Sequence, residues 1–274
     1  MNRLSVEKRA QILTALVEGN SLRSASRMTG AAINTVMKLL VDAGLACSEY
    51  QDTHLRNLSC KRLQADEIWS FVAIKERNRP VTERGTFGRG DVWTWTAICA
   101  DSKLVPSWYV GPRDAETASE FMTDLAARLA SRVQLTTDGN KLYLNAVENA
   151  FGRDIDFAVL IKLYGVDPQA DTRYSPAECI GTREQVIMGS PAPEHISTSY
   201  AERANLTMRM SMRRFTRLTN GFSKKVENHA AAIALHFMNY NFARIHKTLR
   251  VSPAMAAGVT NHLWSVEEIA ALIP

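Results

Sequence analysis

VQLTTDGNKLYLNAVENAFGRDIDFAVLIKLY, residues 133–164, is the most informative stretch for the architecture of this chain. It begins with the short apolar run 133–137 and continues with apolar residues at helical spacing over 142–151. It ends with the β-branched and aromatic run 157–164, which predicts a second strand. This order of a strand, a helix and a strand is typical of an α/β sheet.

Three further strand-like runs precede this unit, at residues 68–75, 92–100 and 104–111, and turn-type sequence separates them. A predicted helix over 114–130 follows the third run. Three antiparallel strands followed by alternating helices and strands indicate an α/β catalytic domain of the RNase H-like, retroviral integrase type. We assign this domain to residues 63–250.

The remaining boundaries follow from changes in composition. Residues 49–62 are polar and are interpreted as a linker. A long proline-containing loop, 165–199, leads to two predicted helices at about 200–219 and 224–243. Residues 251–274 form a C-terminal tail or helix.

Residues 1–48 predict a small all-α domain with a helix-turn-helix. Ser5 caps the first helix, residues 21–28 form the second, and Thr29-Gly30 turns into a third helix over 31–43. A last helix in this arrangement enters the major groove of DNA. The exposed candidates for DNA contact on this helix are Asn34, Thr35 and Lys38. The alternative interpretation is a three-helix bundle with a purely structural role.

Composition and charge bound the function. Hydrophobic residues make up 46% of the 274 and charged residues 22%, which excludes the intrinsically disordered class. The net charge is +5, and the excess is concentrated. Between Arg203 and Arg250 there are ten Lys or Arg residues against one acid, Glu227. Such a block favours a polyanionic partner.

The four cysteines are irregularly spaced and include no C-x-x-C pair, which favours neither a zinc ribbon nor a disulfide framework. We expect reduced thiols in a cytoplasmic protein, associated with the nucleoid when bound to DNA. The N-terminal sequence MNRLSVEKRAQIL lacks an apolar h-region, and no run approaches 18 apolar residues. We therefore expect neither a signal peptide nor a membrane span.

Three acidic residues are placed for metal-dependent phosphodiester chemistry, which needs oxygen ligands from separate elements. Asp66 precedes the first predicted strand, Asp138 ends the buried strand 133–137, and Glu202 begins a long helix. The alternative role for Asp138 is a cap on the following helix.

Neighbouring acids are weaker candidates. Glu67 adjoins Asp66 and is expected to point to the opposite face of the strand. Asp101 lies in a turn and Asp114 at a helix start, where solvated or capping roles are expected. Glu148, on the helix after Asp138, is the rival third ligand.

The helix that begins at Glu202 is predicted to have two distinct faces. At 100° per residue one sector of about 80° carries a carboxylate, an amide and two guanidiniums. These residues are Glu202, Asn205, Arg209 and Arg213. The opposite, core-facing sector contains Ala204, Met208, Ser211, Phe215 and Leu218. The alternative interpretation of the arginine stripe is a solvated face.

The chain resembles the DDE transposases of bacterial insertion sequences, specifically the insertion-sequence-one family. The matching stretches are QADEIWSFV, LTTDGNKLYLNAVENAFG, STSYAERANLTMRMSMRRFTRLTNGFSKKVENH and HFMNYNFARIHKTLRVSPAMAAGV. With the predicted helix-turn-helix they cover most of the chain. Some family members carry an N-terminal zinc ribbon, but this chain lacks the cysteine pairs, so the resemblance supports no zinc site.

The resemblance implies a DNA transposase with a catalytic and metal-binding triad of Asp66, Asp138 and Glu202. Its cofactor is expected to be Mg²⁺ or Mn²⁺, as two ions. Asn205 and Arg209 would lie near DNA, with Arg213 on the same basic helix, and His246 and Lys247 would form a C-terminal DNA or structural element. The expected partners are double-stranded terminal repeats and target DNA. Because two ends must be joined, we expect a homo-oligomer on DNA.

Two other functions remain open. A catalytically retired transposase could act as a DNA-binding repressor, but loss of a triad carboxylate, which would favour it, is not observed. A host nuclease of the RNase H-like class is the second alternative. The predicted helix-turn-helix disfavours it, because structure-directed nucleases need no sequence reader.

Overall fold

The computed structural model of the chain describes residues 4–165, 179–216 and 220–274. The helices are α1 (Val6–Val17), α2 (Leu22–Thr29), α3 (Ile33–His54), α4 (Ala115–Ala127), α5 (Leu142–Phe151), α6 (Ser199–Ser211), α7 (Val226–Met238), α8 (Pro253–Ala256) and α9 (Val266–Ala271). The strands are β1 (Arg62–Val72), β2 (Gly90–Cys99), β3 (Ser107–Gly111), β4 (Val133–Thr137), β5 (Ile155–Tyr164) and β6 (Cys179–Met188).

The described strands form one mixed sheet of order β3-β2-β1-β4-β5-β6. The pairs β3–β2, β2–β1 and β5–β6 are antiparallel, whereas β1–β4 and β4–β5 are parallel. Three sequential antiparallel strands followed by parallel strands joined through helices match the predicted α/β order. The prediction of an α/β sheet is confirmed, and the topology is consistent with an RNase H-like architecture.

Helices cover both faces of the sheet. On one face Trp95 of β2 packs edge-on against Tyr143 of α5, with ring centroids 5.4 Å apart. On the other, Trp108 of β3 stacks on Phe237 of α7 at 5.9 Å. Burial of these rings on both sides fixes which side chains of β1 face α5 and which face α6.

Strand β1 begins at Arg62 and contains Asp66, whereas the sequence predicted a strand over 68–75 with Asp66 before it. The first part of β1 was not predicted because its polar side chains interrupt the apolar pattern that marks a strand. Gln64 is buried because its Oε1 accepts hydrogen bonds from the backbone N–H groups of Tyr200 (2.7 Å) and Ala201 (3.2 Å). This contact places the first turn of α6 on β1.

Helix α3 is longer than predicted and runs through residues 44–54, most of which the sequence assigned to the end of the small domain and to a linker. It packs closely on α7, where a Cβ added at Gly44 would lie 2.4 Å from Ala231 Cα. Gln51 Nε2 donates to the carbonyl of Ala234 at 3.2 Å. The buried face of α3 thus belongs to the same apolar core as the sheet.

The N-terminal helices have the expected local signals. Ser5 caps α1 by accepting from the N–H of Lys8. Gly30 ends α2 with φ 69°, a left-handed conformation that glycine adopts without strain. The chain bends by 113° between α2 and α3, which lies within the range for paired helices joined by a short turn.

The C-terminal residues 251–274 are packed rather than trailing. Helix α9 lies against α1, and the Arg9 guanidinium donates to the carbonyl of Ile273 at 3.0 Å. Ser265 and Glu268 form a capping box that begins α9.

Two predictions for residues 165–219 were wrong. Strand β6 pairs with β5 inside the predicted loop, and most of its polar residues are exposed, so no apolar pattern marks it. Helix α6 ends at Ser211, because Met212 adopts an extended conformation (φ −127°, ψ 111°). Arg213 therefore lies beyond the helix, in a 3₁₀ turn with the buried Phe215, and Leu218 lies outside the described residues.

Within the described part of the chain, no single helix is long and apolar enough to cross a membrane. The bent pair α2 and α3 passes that test together, by length and composition only.

Candidate active site

Asp66 and Asp138 lie where the parallel pairing of β1 with β4 stops. The last pair between β1 and β4 is Ala65 with Thr137, and the next residue on each strand is one of the two aspartates. Strand β4 ends at Thr137, whereas β1 continues to Val72, so Asp138 turns away beside Asp66 and the two carboxylates meet. Asp138 also accepts from the backbone N–H of Asn140 at 3.0 Å, which shapes the turn into α5.

Glu67 joins this pair. Single ligand oxygens of Asp66, Glu67 and Asp138 all lie within 4.8 Å of one another. Glu67 points to the opposite face of β1 from Asp66, as strand alternation predicts, but this does not remove it from the site. Asp66 accepts a hydrogen bond from Asn205 of α6, whereas Glu67 accepts one from Asn140 at the start of α5. Both residues nevertheless lie beyond the last β1–β4 pair, and no strand separates their carboxylates.

The environment of these carboxylates disfavours their charge. Burial, followed by the charges of Asp138 and Glu67, raises the pKa of Asp66 to about 7. Burial and the Asp138 charge also raise the pKa of Glu67, against the hydrogen bond from Asn140. A bound cation would relieve this repulsion, since it removes the cost of placing like charges together.

Glu67 is the most enclosed carboxylate of the three. Asn140 Nδ2 donates to its Oε1 at 2.6 Å, and Arg113 Nη2 approaches its Oε2 at 3.5 Å. Its side chain is only 2% exposed. The buried ring of Tyr143 lies beside it, and burial together with the charge of Glu67 raises the Tyr143 pKa.

Helix α6 brings a fourth carboxylate to the same cleft. Glu202 Oε1 accepts from Thr198 Oγ1 at 2.6 Å, and its Oε2 pairs with Lys162 Nζ of β5 at 2.5 Å. One turn further along α6, Asn205 Nδ2 donates to Asp66 Oδ2 at 2.8 Å. Helix α6 thus holds one carboxylate at the cleft and orients another.

The cleft has a volume of about 810 Å³ and is lined by Asp66, Asp138 and Glu202 together with three cations. These cations are Arg113, Lys141 and Lys162. The rival ligand Glu148 is exposed on α5 and is not among the lining residues. The three acids singled out in the sequence therefore share one cleft.

The other predicted contact residues are dispersed. Asn205 is buried at 4% exposure, and Arg209 lines a second groove beside Asp66 and Glu67. Arg213 is exposed and lines a different pocket, so the stripe predicted to run from Glu202 to Arg213 is broken after Arg209.

The remaining predicted DNA contacts lie away from the cleft. Asn34 and Lys38 are exposed and Thr35 is half-buried on α3, with Lys38 Nζ 2.5 Å from Asp42 Oδ2. Lys247 is exposed. His246 is half-buried, and burial, with the charges of Lys103 and Arg244, lowers its pKa.

The residues present fit a divalent cation. Oxygen ligands are what Mg²⁺ and Mn²⁺ prefer, and Asp66, Glu67 and Asp138 offer them within one small volume. Asn205 adds a second observation. Its Oδ1 is buried and has no hydrogen-bond partner within the described ranges, although its Nδ2 is bonded to Asp66. A buried amide oxygen beside a carboxylate cluster is a further oxygen donor.

Sequence reasoning missed Glu67, Asn140, Thr198 and Lys162. The signal for Asn140 was present, since Asp138-Gly139-Asn140 is turn-type sequence after a buried strand. No local pattern marks Lys162, because its partner Glu202 is 40 residues away.

No protein-family model matches the chain, and no curated protein matches it. Among solved structures, the chain is similar to the simian T-cell lymphotropic virus intasome in complex with PP2A regulatory subunit B56 gamma. The identity is 12%, the TM-score is 0.42, and 91% of this chain and 74% of that chain are covered. It is also similar to the Mos1 mariner paired end complex with Mn, at 9% identity and a TM-score of 0.32, covering 87% and 76%. For the Mos1 Strand Transfer Complex the values are 11%, 0.25, 86% and 78%.

Proposed function

We propose that this chain is a DDE-type DNA transposase, which hydrolyses phosphodiesters at the ends of an insertion sequence and joins them to target DNA. The observation that carries the proposal is that Asp66 and Asp138 meet where the pairing of β1 with β4 stops, and that Glu202 lies in the same cleft. Three carboxylates from three separate elements around an open cleft suit metal-dependent chemistry on a phosphodiester.

In this proposal Asp66, Asp138 and Glu202 hold Mg²⁺ or Mn²⁺, as two ions. Ions held by these residues would supply activation of the attacking oxygen and stabilisation of the leaving one. Asn205 keeps Asp66 in position through its 2.8 Å hydrogen bond. Lys162 neutralises Glu202 in the metal-free protein, and Arg113 does so in part for Glu67. The side chains of Arg209 and Arg213 contact phosphates.

The α1–α3 bundle is proposed to recognise the terminal repeats as a helix-turn-helix, through Asn34, Thr35 and Lys38. The 113° bend at Gly30 supports this, as does the exposure of Asn34 and Lys38. His246 and Lys247 are proposed as additional DNA contacts. Because two ends are joined, the active form is proposed to be a homo-oligomer on double-stranded DNA.

We also propose the fold family, the transposase family and the cellular location of this chain. The sheet order supports an RNase H-like catalytic domain, and the sequence motifs support the insertion-sequence-one family within the bacterial DDE transposases. The site of action is proposed to be the cytoplasm, at the nucleoid.

The test combines metal binding with cleavage. Purified protein is titrated with Mg²⁺ and Mn²⁺ while thermal unfolding is recorded, and duplexes that carry the flanking element ends are assayed for strand cleavage and joining. We expect metal-dependent stabilisation and metal-dependent cleavage, both lost in Asp138→Asn and both retained in the matched control Glu148→Gln.

The alternatives predict other outcomes. DNA binding without cleavage in any metal indicates a repressor derived from a transposase. Cleavage of duplexes without preference for the element ends, and without joining, indicates a nuclease. Either result contradicts the proposed function.

A further inference from the structure

A second pocket lies at the far end of α6 from the carboxylates. It has a volume of about 460 Å³ and separates the N-terminal helices from the segment that joins α6 to α7. Four Lys or Arg residues line it, and no Asp or Glu is among its described lining residues. The four cations are Arg23, Arg213, Arg214 and Lys224. The charged residues among its described lining are therefore all positive, in a wall that is otherwise largely apolar.

Arg214 is the unusual member of this set. Its side chain is half-buried, and Nη1 donates to Ser223 Oγ at 2.7 Å. No carboxylate within the described ranges pairs with it. Burial lowers the pKa of Arg214 to about 10. A partly buried guanidinium is more often paired with an acid, because burial disfavours the unpaired charge.

The groups behind Arg214 do not compensate its charge. Ser223 Oγ also contacts His229 Nδ1 at 2.9 Å, and His229 Nε2 contacts Ser70 Oγ at 3.0 Å. Burial and the charge of Arg214 lower the pKa of His229 to about 3, so the imidazole is neutral. This chain of neutral groups holds the guanidinium in place at the wall of the pocket and brings no negative charge to it.

The pocket also adjoins the surface predicted to read DNA. Ile33 and Met37 of α3 line it, and the exposed Asn34 and Lys38 are the next residue after each. Glu202 lies nine residues before Ser211, which also lines the pocket. Nine residues of helix span about 14 Å. A polyanion strand along α6 would therefore reach both the cleft and the pocket.

We propose that this pocket binds a backbone phosphate of DNA, with Arg214 as its central ligand and Arg23 and Lys224 at its rim. The planar guanidinium fork matches two phosphate oxygens. The inference rests on the proposed function only in naming DNA as the source of the phosphate. The pocket would hold the duplex between its recognition by α3 and its cleavage at the acidic cleft.

The first measurement uses the full chain in EDTA, with inorganic phosphate as the probe. Phosphate at about ten times its Kd should raise the wild-type Tm by about 2–4 °C. Arg214→Met should abolish this rise, and its Tm without phosphate should equal or exceed that of the wild type, because an uncompensated buried charge is removed. Ser223 keeps its His229 partner in this variant. A lower phosphate-free Tm in Arg214→Met indicates a structural arginine and overturns the proposal.

The second measurement uses a random-sequence DNA duplex, again in EDTA. Arg23→Gln and Lys224→Gln are exposed rim changes that leave the fold intact. Each should flatten the slope of log affinity against log salt by about 0.9, since one fewer counterion is released. The matched control is Arg84→Gln, an exposed arginine outside the pocket, and should leave the slope unchanged.

The two probes separate the sources of phosphate. Loss of the phosphate response in Arg214→Met together with flatter slopes in both rim variants supports the proposal. A phosphate response with unchanged duplex slopes indicates a site for free phosphate and overturns the assignment to DNA. No response to either probe overturns the site itself. Neither measurement depends on cleavage, so failure of the enzymatic proposal would leave these outcomes interpretable.

Discussion

The two ends of helix α6 differ in the sign of the charge that they bury. At its start, Asp66 and Glu67 are crowded with Asp138, and burial raises the pKa of the first two. Beyond its end, Arg214 is withdrawn from water, and burial lowers its pKa. Burial therefore disfavours the charged carboxylates in the first region and the charged guanidinium in the second. A bound cation would stabilise the first region and a bound anion the second.

The two regions also differ in how they are compensated. The acidic cleft contains Arg113 and Lys162, which contact Glu67 and Glu202. The basic pocket has no such acid among its described residues. In the cleft, lysine and arginine side chains already balance part of the negative charge. In the pocket, only a bound anion would balance the positive charge. This difference implies that variants in the cleft chiefly change chemistry, and variants in the pocket chiefly change binding.

The largest effect is expected in the cleft. Asp66→Asn, Asp138→Asn and Glu202→Gln should each lower metal-dependent cleavage on the order of 10³-fold or more, because a ligand to the metal is lost. DNA affinity should remain within about twofold, since phosphate contacts lie elsewhere. Cleavage rates and binding isotherms on one duplex measure both. If Glu148→Gln abolished cleavage and Glu202→Gln did not, the third ligand would be misassigned.

A second prediction separates stability from chemistry in the same cleft. The pKa of Asp66 is about 7 in the folded chain against 3.8 as the ordinary value. The folded protein thus holds this proton longer, and the stability from this group is present at low pH and lost as pH rises through 7. In EDTA at pH 8, Asp66→Asn should be more stable than the wild type by about 2–4 kcal/mol, and at pH 4 the difference should vanish.

Urea unfolding at pH 4, 6 and 8 measures this difference, with the exposed Asp91→Asn as control. Reduced stability of Asp66→Asn at pH 8 would mean that the carboxylate cluster is not strained without metal.

The third prediction concerns His229, which lies behind Arg214 beside the basic pocket. His229 is buried, with its pKa lowered to about 3 by burial and by Arg214. The unfolded chain binds a proton on this residue near pH 6.5 while the folded chain does not, so stability is full above pH 6.5 and falls as pH drops below it. Near pH 5 the loss should reach about 2 kcal/mol.

His229→Gln should flatten the dependence of unfolding free energy on pH between 6.5 and 5, although it lowers stability at neutral pH. His54→Gln, at the exposed end of α3, serves as the comparison and should leave the dependence as in the wild type. An unchanged pH dependence in His229→Gln would show that other groups govern acid sensitivity.

The smallest effect is expected for single phosphate contacts. Arg209→Ala and Arg213→Ala should each weaken DNA binding at low salt and flatten the slope of log affinity against log salt by about 0.9. Over a fourfold rise in salt, the affinity of each variant should therefore fall about 3.5-fold less than that of the wild type. The loss should be equal on all sequences. Phe215→Ala, whose ring is buried, should instead lower stability by about 3–5 kcal/mol without changing the slope. Unchanged slopes in both arginine variants would identify these residues as a solvated surface.

The sequence predicts the centre of the fold well, because burial there matches apolar periodicity. Helix α5 has the predicted bounds, and β4 does as well. Prediction fails where tertiary contacts replace apolar pattern. Gln64 is buried in β1 by bonding to α6, and the edge strand β6 is largely exposed. The end of α6 at Ser211 was also missed, because the basic residues that follow are equally compatible with a helix.

The site divides in the same way. Asp138 could be found because it follows the apolar run 133–137, and Asp66 because it adjoins a strand-like run, although it lies inside β1 and not before it. Glu67 could not, since strand alternation gives the direction of a side chain but not its reach beyond the last paired residue. Lys162 of β5 pairs with Glu202 of α6 across the cleft, although the two residues are 40 positions apart, and no spacing along the chain reveals this contact.

Helix α3 is a single rod from Asn34 to His54, about 30 Å long, and it is seated on α7 through Gly44 and Ala231. A fragment that stopped at residue 48 would cut this rod and expose its packed face, so recognition should be measured in the full chain. For the proposed transposase the consequence concerns the distance between the recognised sequence and the cleavage point. A DNA-binding domain on a flexible linker would permit cuts at several distances from its recognised sequence, whereas a continuous helix packed on α7 fixes that distance. The scissile bond should therefore fall at one fixed number of base pairs from the sequence that α3 reads.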